Sequence, residues 1–409
     1  MKCMSKKYWL LFLVVVLAII YVSWGLNSKP IIVPLNKNYT VSNKVLMTNI
    51  KWPTYGQAAI GINNSGVVAT HGINIPMPTA STAKLITALC VLKKYPLTIG
   101  QTGPIITITP SDVAIYNKYQ AGDGSDMFVF NGEKLTEYQM LEAMLLPSAD
   151  NIADSLAIWA FGSLSNYKLY ASQLLKDHKL YDTHIGIDAS GYSPTTTSTA
   201  YDLVKIGEMV MNNQVLSSIA AKPTASGFPV VGTIKNVNFL LGQNNIVGIK
   251  TGNTNQAGGV FVSASKILVN NNPVTIITAL MQAPNLFDAM IASKVLVISA
   301  QSNFINADSV FNLNKGAVVG EYNVPWQNKI ITAITTQTVN MKAWGGSSLT
   351  KSIDLNPINS YNSTQMIGNV NYYNKVLNYK ASTGVELSQM INPPSKLWIL
   401  THPSSFIHF

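Results

Sequence analysis

No arginine occurs anywhere in this chain. Its 28 basic residues are therefore all lysine, set against 18 acidic ones for a net charge of +10. Nucleic-acid readers depend heavily on arginine. These lysines are scattered, without a basic helix or aromatic interleaving, so no nucleic-acid partner is expected. Attraction to an anionic envelope or membrane surface suits the balance better. Cysteine is nearly absent too: Cys3 precedes a long apolar run and Cys90 lies in a helical stretch. No disulfide framework is indicated, and Cys90 reads as a buried thiol. Among the histidines, His71, His178, His184, His402 and His408 form no close ligand pair, so no metal site is expected. Nothing in the sequence asks for a cofactor.

What is present divides the chain into four parts. Lys2, Lys6 and Lys7 precede an almost unbroken apolar run from Tyr8 to Trp24. Residues 1–26 thus read as a membrane anchor or signal, with the flanking charge keeping that end inside. Ser23-Trp24-Gly25 only loosely resembles a cleavage site. An uncleaved single-pass anchor is favoured, with the rest outside the cytoplasm; cleavage would make the protein secreted. Residues 27–50 read as a polar tether, 51–305 as the main α/β domain and 306–409 as a small β-rich domain. With 47% hydrophobic residues over 409 positions, two cores can be filled.

Local patterns predict the elements. Two apolar runs, Ala58–Ile62 and Val67–Thr70, bracket Asn63-Asn64-Ser65-Gly66 and read as a hairpin. Thr136-Glu137-Tyr138-Gln139 has the form of a capping box before Leu141, Met144 and Leu145, and Pro147 ends that helix. A further helix carries Ile152, Leu156 and Trp159, and another opens at Thr199–Asp202. Strands follow at Lys250–Gly252, Gly259–Ser263 and Val274–Met281, then a helix from Leu286 to about Ala300. Beyond Asn306 the helical period gives way to short alternating runs. Trp398-Ile399-Leu400 suits a strand or a membrane contact, and Pro393-Pro394 argues against an anchoring helix there. The expected fold class is α/β (α+β), an antiparallel sheet flanked by helices, plus a small C-terminal all-β domain.

The chemistry gathers at Pro78–Leu89, where Ser81 and Lys84 stand three residues apart at a helix start. At that spacing the amine reaches the hydroxyl, and a neutral lysine can take a serine's proton as the serine attacks. The S-x-x-K pattern recurs at Ser165/Lys168, Ser263/Lys266 and Ser348/Lys351, so spacing alone selects nothing. Order does: Ser148-Ala149-Asp150-Asn151 follows between two helices, and Lys250-Thr251-Gly252 follows on a strand.

With these motifs the chain resembles the serine D-alanyl-D-alanine carboxypeptidases, the low-molecular-weight penicillin-binding proteins. Asp188-Ala189-Ser190-Gly191 and Asn236–Leu241 support the likeness, which covers about Tyr55 to Ala300. It implies a penicillin-binding or β-lactamase-like transpeptidase domain, acylation by β-lactam antibiotics, and removal of the terminal D-alanine from peptidoglycan stem peptides. Carried over, Ser81 is the nucleophile, Lys84 the base and Ser148 a proton relay. Lys250 supplies positive potential, and Thr251 meets the substrate carboxylate. Gly252 lets the substrate backbone lie on the strand, and the Ser81 and Asn253 N–H groups form the oxyanion hole.

One departure stands out: the family has asparagine two residues after the second serine, where this chain has Asp150 followed by Asn151. Either the loop turns so that Asn151 supplies the amide, or Asp150 replaces it and brings a negative charge near Lys84 and Lys250. Two rival readings follow. A class A-like β-lactamase needs a deacylating glutamate, for which Glu208 has suitable spacing to Asn212 but sits in a helical stretch. A catalytically silent cell-wall-binding protein would owe its silence to Asp150.

Overall fold

A computed structural model describes residues 6–36, 39–44, 47–269, 272–305, 311–341, 348–361, 366–374 and 379–403. Lys2, Cys3, Asn306 and His408 lie outside these. The chain divides into two compact units, one spanning Leu46–Ala307, the other joining Met1–Val45 to Asp308–Ala343 and Ser348–Phe409.

The first unit is built on a five-stranded antiparallel sheet in the order Ile246–Thr254, Gly258–Val269, Asn272–Ala283, Gln57–Ile62, Gly66–His71. Asn64 adopts a left-handed conformation in the predicted hairpin turn. The central strands are buried on both faces, and side-chain alternation assigns them to two cores. Val260, Val262 and Ala264 face the large helical cluster. Phe261 faces Met290 and Val297 of the closing helix Leu286–Ile305.

The helical layer is inserted between the hairpin and the later strands, and its ends follow from local chemistry. Thr109 with Asp112 and Thr136 with Gln139 form capping boxes at the starts of Pro110–Ala121 and Glu137–Leu145. Thr199 caps Ala200–Asn212 through the Asp202 N–H. Asp150–Phe161 ends at Gly162, whose φ of 82° suits a residue without a Cβ.

Glu137 is fully buried at the first turn of its helix, pressed under Gly103, with neither carboxylate oxygen hydrogen-bonded among the described residues. Burial pushes its carboxyl up to about 7. Folding therefore takes up a proton here, and the group costs stability progressively as pH rises from about 4.3 through 7. Glu137→Gln is expected to raise Tm by about 2–4 °C at pH 8 and to leave it unchanged at pH 4. Equal gains at both pH values would contradict this charge argument.

The second unit holds a six-stranded antiparallel sheet in the order Tyr39–Lys44, Ser348–Leu355, Met366–Asn374, Tyr379–Leu387, Lys329–Thr335, Val318–Val324. Tyr322, Ile331, Val370 and Val385 fill its core. The stretch expected to be a tether contributes to this sheet. Tyr39–Lys44 pairs with Ser348–Leu355 as an edge strand, and Ile32 bridges Ile358. Lys6–Asn27 is a 22-residue helix of mean hydropathy 2.5, long and apolar enough to cross a bilayer. Lys396–Thr401 is a short helix capped by Ser395, which corrects the strand alternative of the two readings, strand or membrane contact, given for Trp398-Ile399-Leu400. Its Leu400 carbonyl accepts from Tyr21 OH at 2.7 Å.

Candidate active site

Ser81 lies on a 3₁₀ turn, Ala80–Ala83, that runs directly into the helix Lys84–Lys94. An α-helical start was expected. In a 3₁₀ turn residues three apart eclipse, which brings Lys84 over Ser81 more directly. Lys84 Nζ donates to Ser81 Oγ at 2.8 Å, and Ser81 keeps 9% of its surface exposed while Lys84 keeps none.

The turn is tight because Ala80 has a φ of +45°. Two glycines hold it there. A Cβ on Gly191 would stand 2.0 Å from the Ala80 carbonyl oxygen, and one on Gly252 would stand 3.0 Å from both Ala80 Cβ and Ser81 N. Gly191 itself has a φ of +77°. Gly191→Ala thus meets strain and a backbone clash together, and should lower Tm by about 5 °C or more. Gly100→Ala is the control: its φ is +89° with nothing within 4 Å of the new methyl, so it carries strain alone. Equal losses in the two variants would remove the contact argument.

Ser148 sits between the helices Glu137–Leu145 and Asp150–Phe161 with a φ of +71°. Lys250 Nζ, on the edge strand, donates to Ser148 Oγ at 2.9 Å and to the Thr251 carbonyl at 3.1 Å. Burial pushes the Lys250 amine well below the ordinary lysine range, the charge of Lys84 adds to this, and Asp150 opposes it. Thr251 is nearly buried and Asn253, two residues on and on the same side of the strand, is exposed.

The structure decides between the two readings of the second motif. Asp150 occupies the asparagine position, with Oδ1 accepting from Lys84 Nζ at 2.5 Å and its side chain 4% exposed. Asn151 does not enter the site, contrary to its expected contact with substrate. One helical step turns it away: its Oδ1 accepts from Met127 N at 3.0 Å and its Nδ2 donates to Met127 O at 2.9 Å. Both ends of the amide are consumed in tying down that strand of chain.

Several supporting groups were not singled out as site residues from sequence. The Ser190 carbonyl accepts from Lys84 Nζ at 3.0 Å. Asp188 Oδ1 holds that loop by accepting from the N–H groups of Ser190 and Gly191. Asp154 accepts from Ala189 N at 2.8 Å and from Tyr119 OH at 2.7 Å. Burial raises the Asp154 carboxyl to about 6 and drives the Tyr119 phenol upward. The Asp-x-Ser-Gly run is a turn signature, and it was the one available hint.

Glu208 is not among the hydrogen-bond partners of Lys84 or Lys250. It is on the helix Ala200–Asn212, where burial pushes its carboxyl up and the nearby backbone N–H groups of the hairpin turn, Asn64, Ser65 and Gly66, oppose that push. No cluster of three metal-ligating side chains occurs among the described residues.

Comparison with known proteins bears on the fold and the family. No curated protein matches the chain. Among solved structures, the Streptomyces K15 DD-transpeptidase is 21% identical, with a TM-score of 0.54, covering 61% of this chain and 98% of its own. An evolved penicillin-binding protein homologue from Mycobacterium tuberculosis is 24% identical, with a TM-score of 0.54, covering 64% of this chain and 96% of its own. These establish the fold. A family profile described as D-alanyl-D-alanine carboxypeptidase matches residues 56–285, more than half of the chain. The match contains all three motifs, and the chain belongs to the D-alanyl-D-alanine carboxypeptidase family of serine peptidases.

Proposed function

We propose that this protein removes the terminal D-alanine from peptidoglycan stem peptides through an acyl-Ser81 intermediate, and that β-lactams acylate the same hydroxyl. The observation that carries the reading is the pair of amine–hydroxyl contacts in one site, Lys84 to Ser81 at 2.8 Å and Lys250 to Ser148 at 2.9 Å. Ser81 attacks the carbonyl between the two D-alanines while Lys84 takes its proton. The N–H groups of Ser81 and Asn253 receive the oxyanion, and Ser148 relays a proton to the leaving amine. Thr251 and Lys250 meet the substrate carboxylate, a task left to lysine and hydroxyl groups in a chain without arginine. Gly252 gives the substrate backbone room on the edge strand. The apolar helix Lys6–Asn27 supports a membrane-anchored enzyme acting outside the cytoplasm.

The test is release of D-alanine by the full-length chain in detergent from a peptide ending in D-alanyl-D-alanine, with and without an added amine acceptor. Free D-alanine together with a shortened peptide supports the carboxypeptidase. A product joined to the acceptor would instead assign transpeptidation. No D-alanine from folded protein would overturn the reading and favour a silent wall-binding protein.

A further inference from the structure

Lys84 has three polar partners: Ser81 Oγ at 2.8 Å, Asp150 Oδ1 at 2.5 Å and the Ser190 carbonyl at 3.0 Å. An ammonium has three hydrogens and no lone pair. With its charge held by a buried carboxylate, Lys84 donates to all three partners and has nothing with which to accept the Ser81 proton. It becomes a base only by giving one hydrogen away. A backbone carbonyl cannot keep that hydrogen, and a carboxylate can. Asp150 is the sole carboxylate in ion-pair contact with Lys84 among the described residues.

Resting on the acyl-serine reading above, we propose that Asp150 is the terminal proton acceptor for Ser81, reached through Lys84. As the Ser81 oxygen bonds to the substrate carbonyl carbon, its hydroxyl hydrogen passes to Lys84 Nζ, and a Lys84 hydrogen passes to Asp150 Oδ1. The carbonyl π pair moves onto oxygen as the oxyanion. Lys84 ends as an ammonium, as it began, and Asp150 ends as a neutral acid. When the tetrahedral intermediate collapses, the carbon–nitrogen pair leaves with the amine, and the proton stored on Asp150 returns through Lys84 to the relay that serves it. The surroundings of Asp150 are close-packed and charged. Its side chain is almost fully buried, Gly124 packs on Oδ2, and Asp126 lies nearby, its own carboxyl pushed up first by burial and then by the charge of Asp150. The charged groups facing it are Lys84 from the nucleophile helix, Lys250 from the edge strand and Asp126 from the segment before Met127. An asparagine at this position cannot take the proton, so this chain divides between two residues a task otherwise left to the lysine alone.

The test is the pH dependence of acylation of the full-length chain in detergent by a fluorescent penicillin. In the wild type, the acid limb should report the group that finally takes the Ser81 proton. In Asp150→Asn it should move up by at least about 2 pH units, with acylation at pH 6 slowed ~100-fold. Asp150→Glu, which restores a carboxylate, should keep the limb within about 1 unit of wild type. An unmoved limb in Asp150→Asn, or faster acylation at pH 6, would overturn the proposal and make Asp150 an inhibitory counter-ion. Should Asp150→Asn not fold, a wild-type limb in the lysine range would overturn it as well. A wild type that takes no label at any pH would bring down the acyl-serine reading itself, an outcome distinct from a shifted limb.

Discussion

Ser81→Ala is expected to abolish turnover of a peptide ending in D-alanyl-D-alanine, a loss of roughly 10⁴-fold or more, with Tm changed by no more than about 3 °C. The asymmetry follows from the site. Without Oγ there is no atom to form the acyl bond. The rest of the constellation survives: Lys84 keeps Asp150 and the Ser190 carbonyl, and Lys250 keeps Ser148. Comparable turnover in Ser81→Ala would transfer the chemistry to another nucleophile.

Lys84→Met carries the second large effect, and it acts on two links at once. On the chemical side it removes the only amine in reach of Ser81 Oγ among the described residues, so acylation should fall roughly 10³-fold or more. On the folding side it strands Asp150 as a buried charge, a loss on the order of 3–5 kcal/mol. The double variant Lys84→Met/Asp150→Asn separates the two. It should recover most of the lost Tm and none of the lost acylation. Recovery of both together would mean that Lys84 serves only to hold the fold.

What was legible in the sequence is what local chemistry specifies. The capping box at Thr136, the helix start at Thr199, the hairpin around Asn64 and the closing helix from Leu286 stand where short-range patterns put them. The site around Ser81, Ser148 and Lys250 was legible because three short motifs follow one another in a fixed order along the chain. What was not legible depends on partners far along the chain. The Lys84 contacts to Asp150 and Ser190 span 66 and 106 residues. Whether Asp150 or Asn151 faces the site is decided by a positive φ at Ser148 and by where the next helix begins, neither of which is encoded in residue type alone. The strand Tyr39–Lys44 was hidden for the same reason, since its partner Ser348–Leu355 lies some three hundred residues away.

The central claim is that Ser81 becomes covalently acylated. Its most direct test is intact-protein mass spectrometry of the full-length chain in detergent after incubation with benzylpenicillin, followed by mapping of the modified peptide. The expected result is a mass increase of a single benzylpenicillin, located on the peptide that contains Ser81 and absent from Ser81→Ala. Folded protein that stays unmodified, or an adduct that persists in Ser81→Ala, would contradict it.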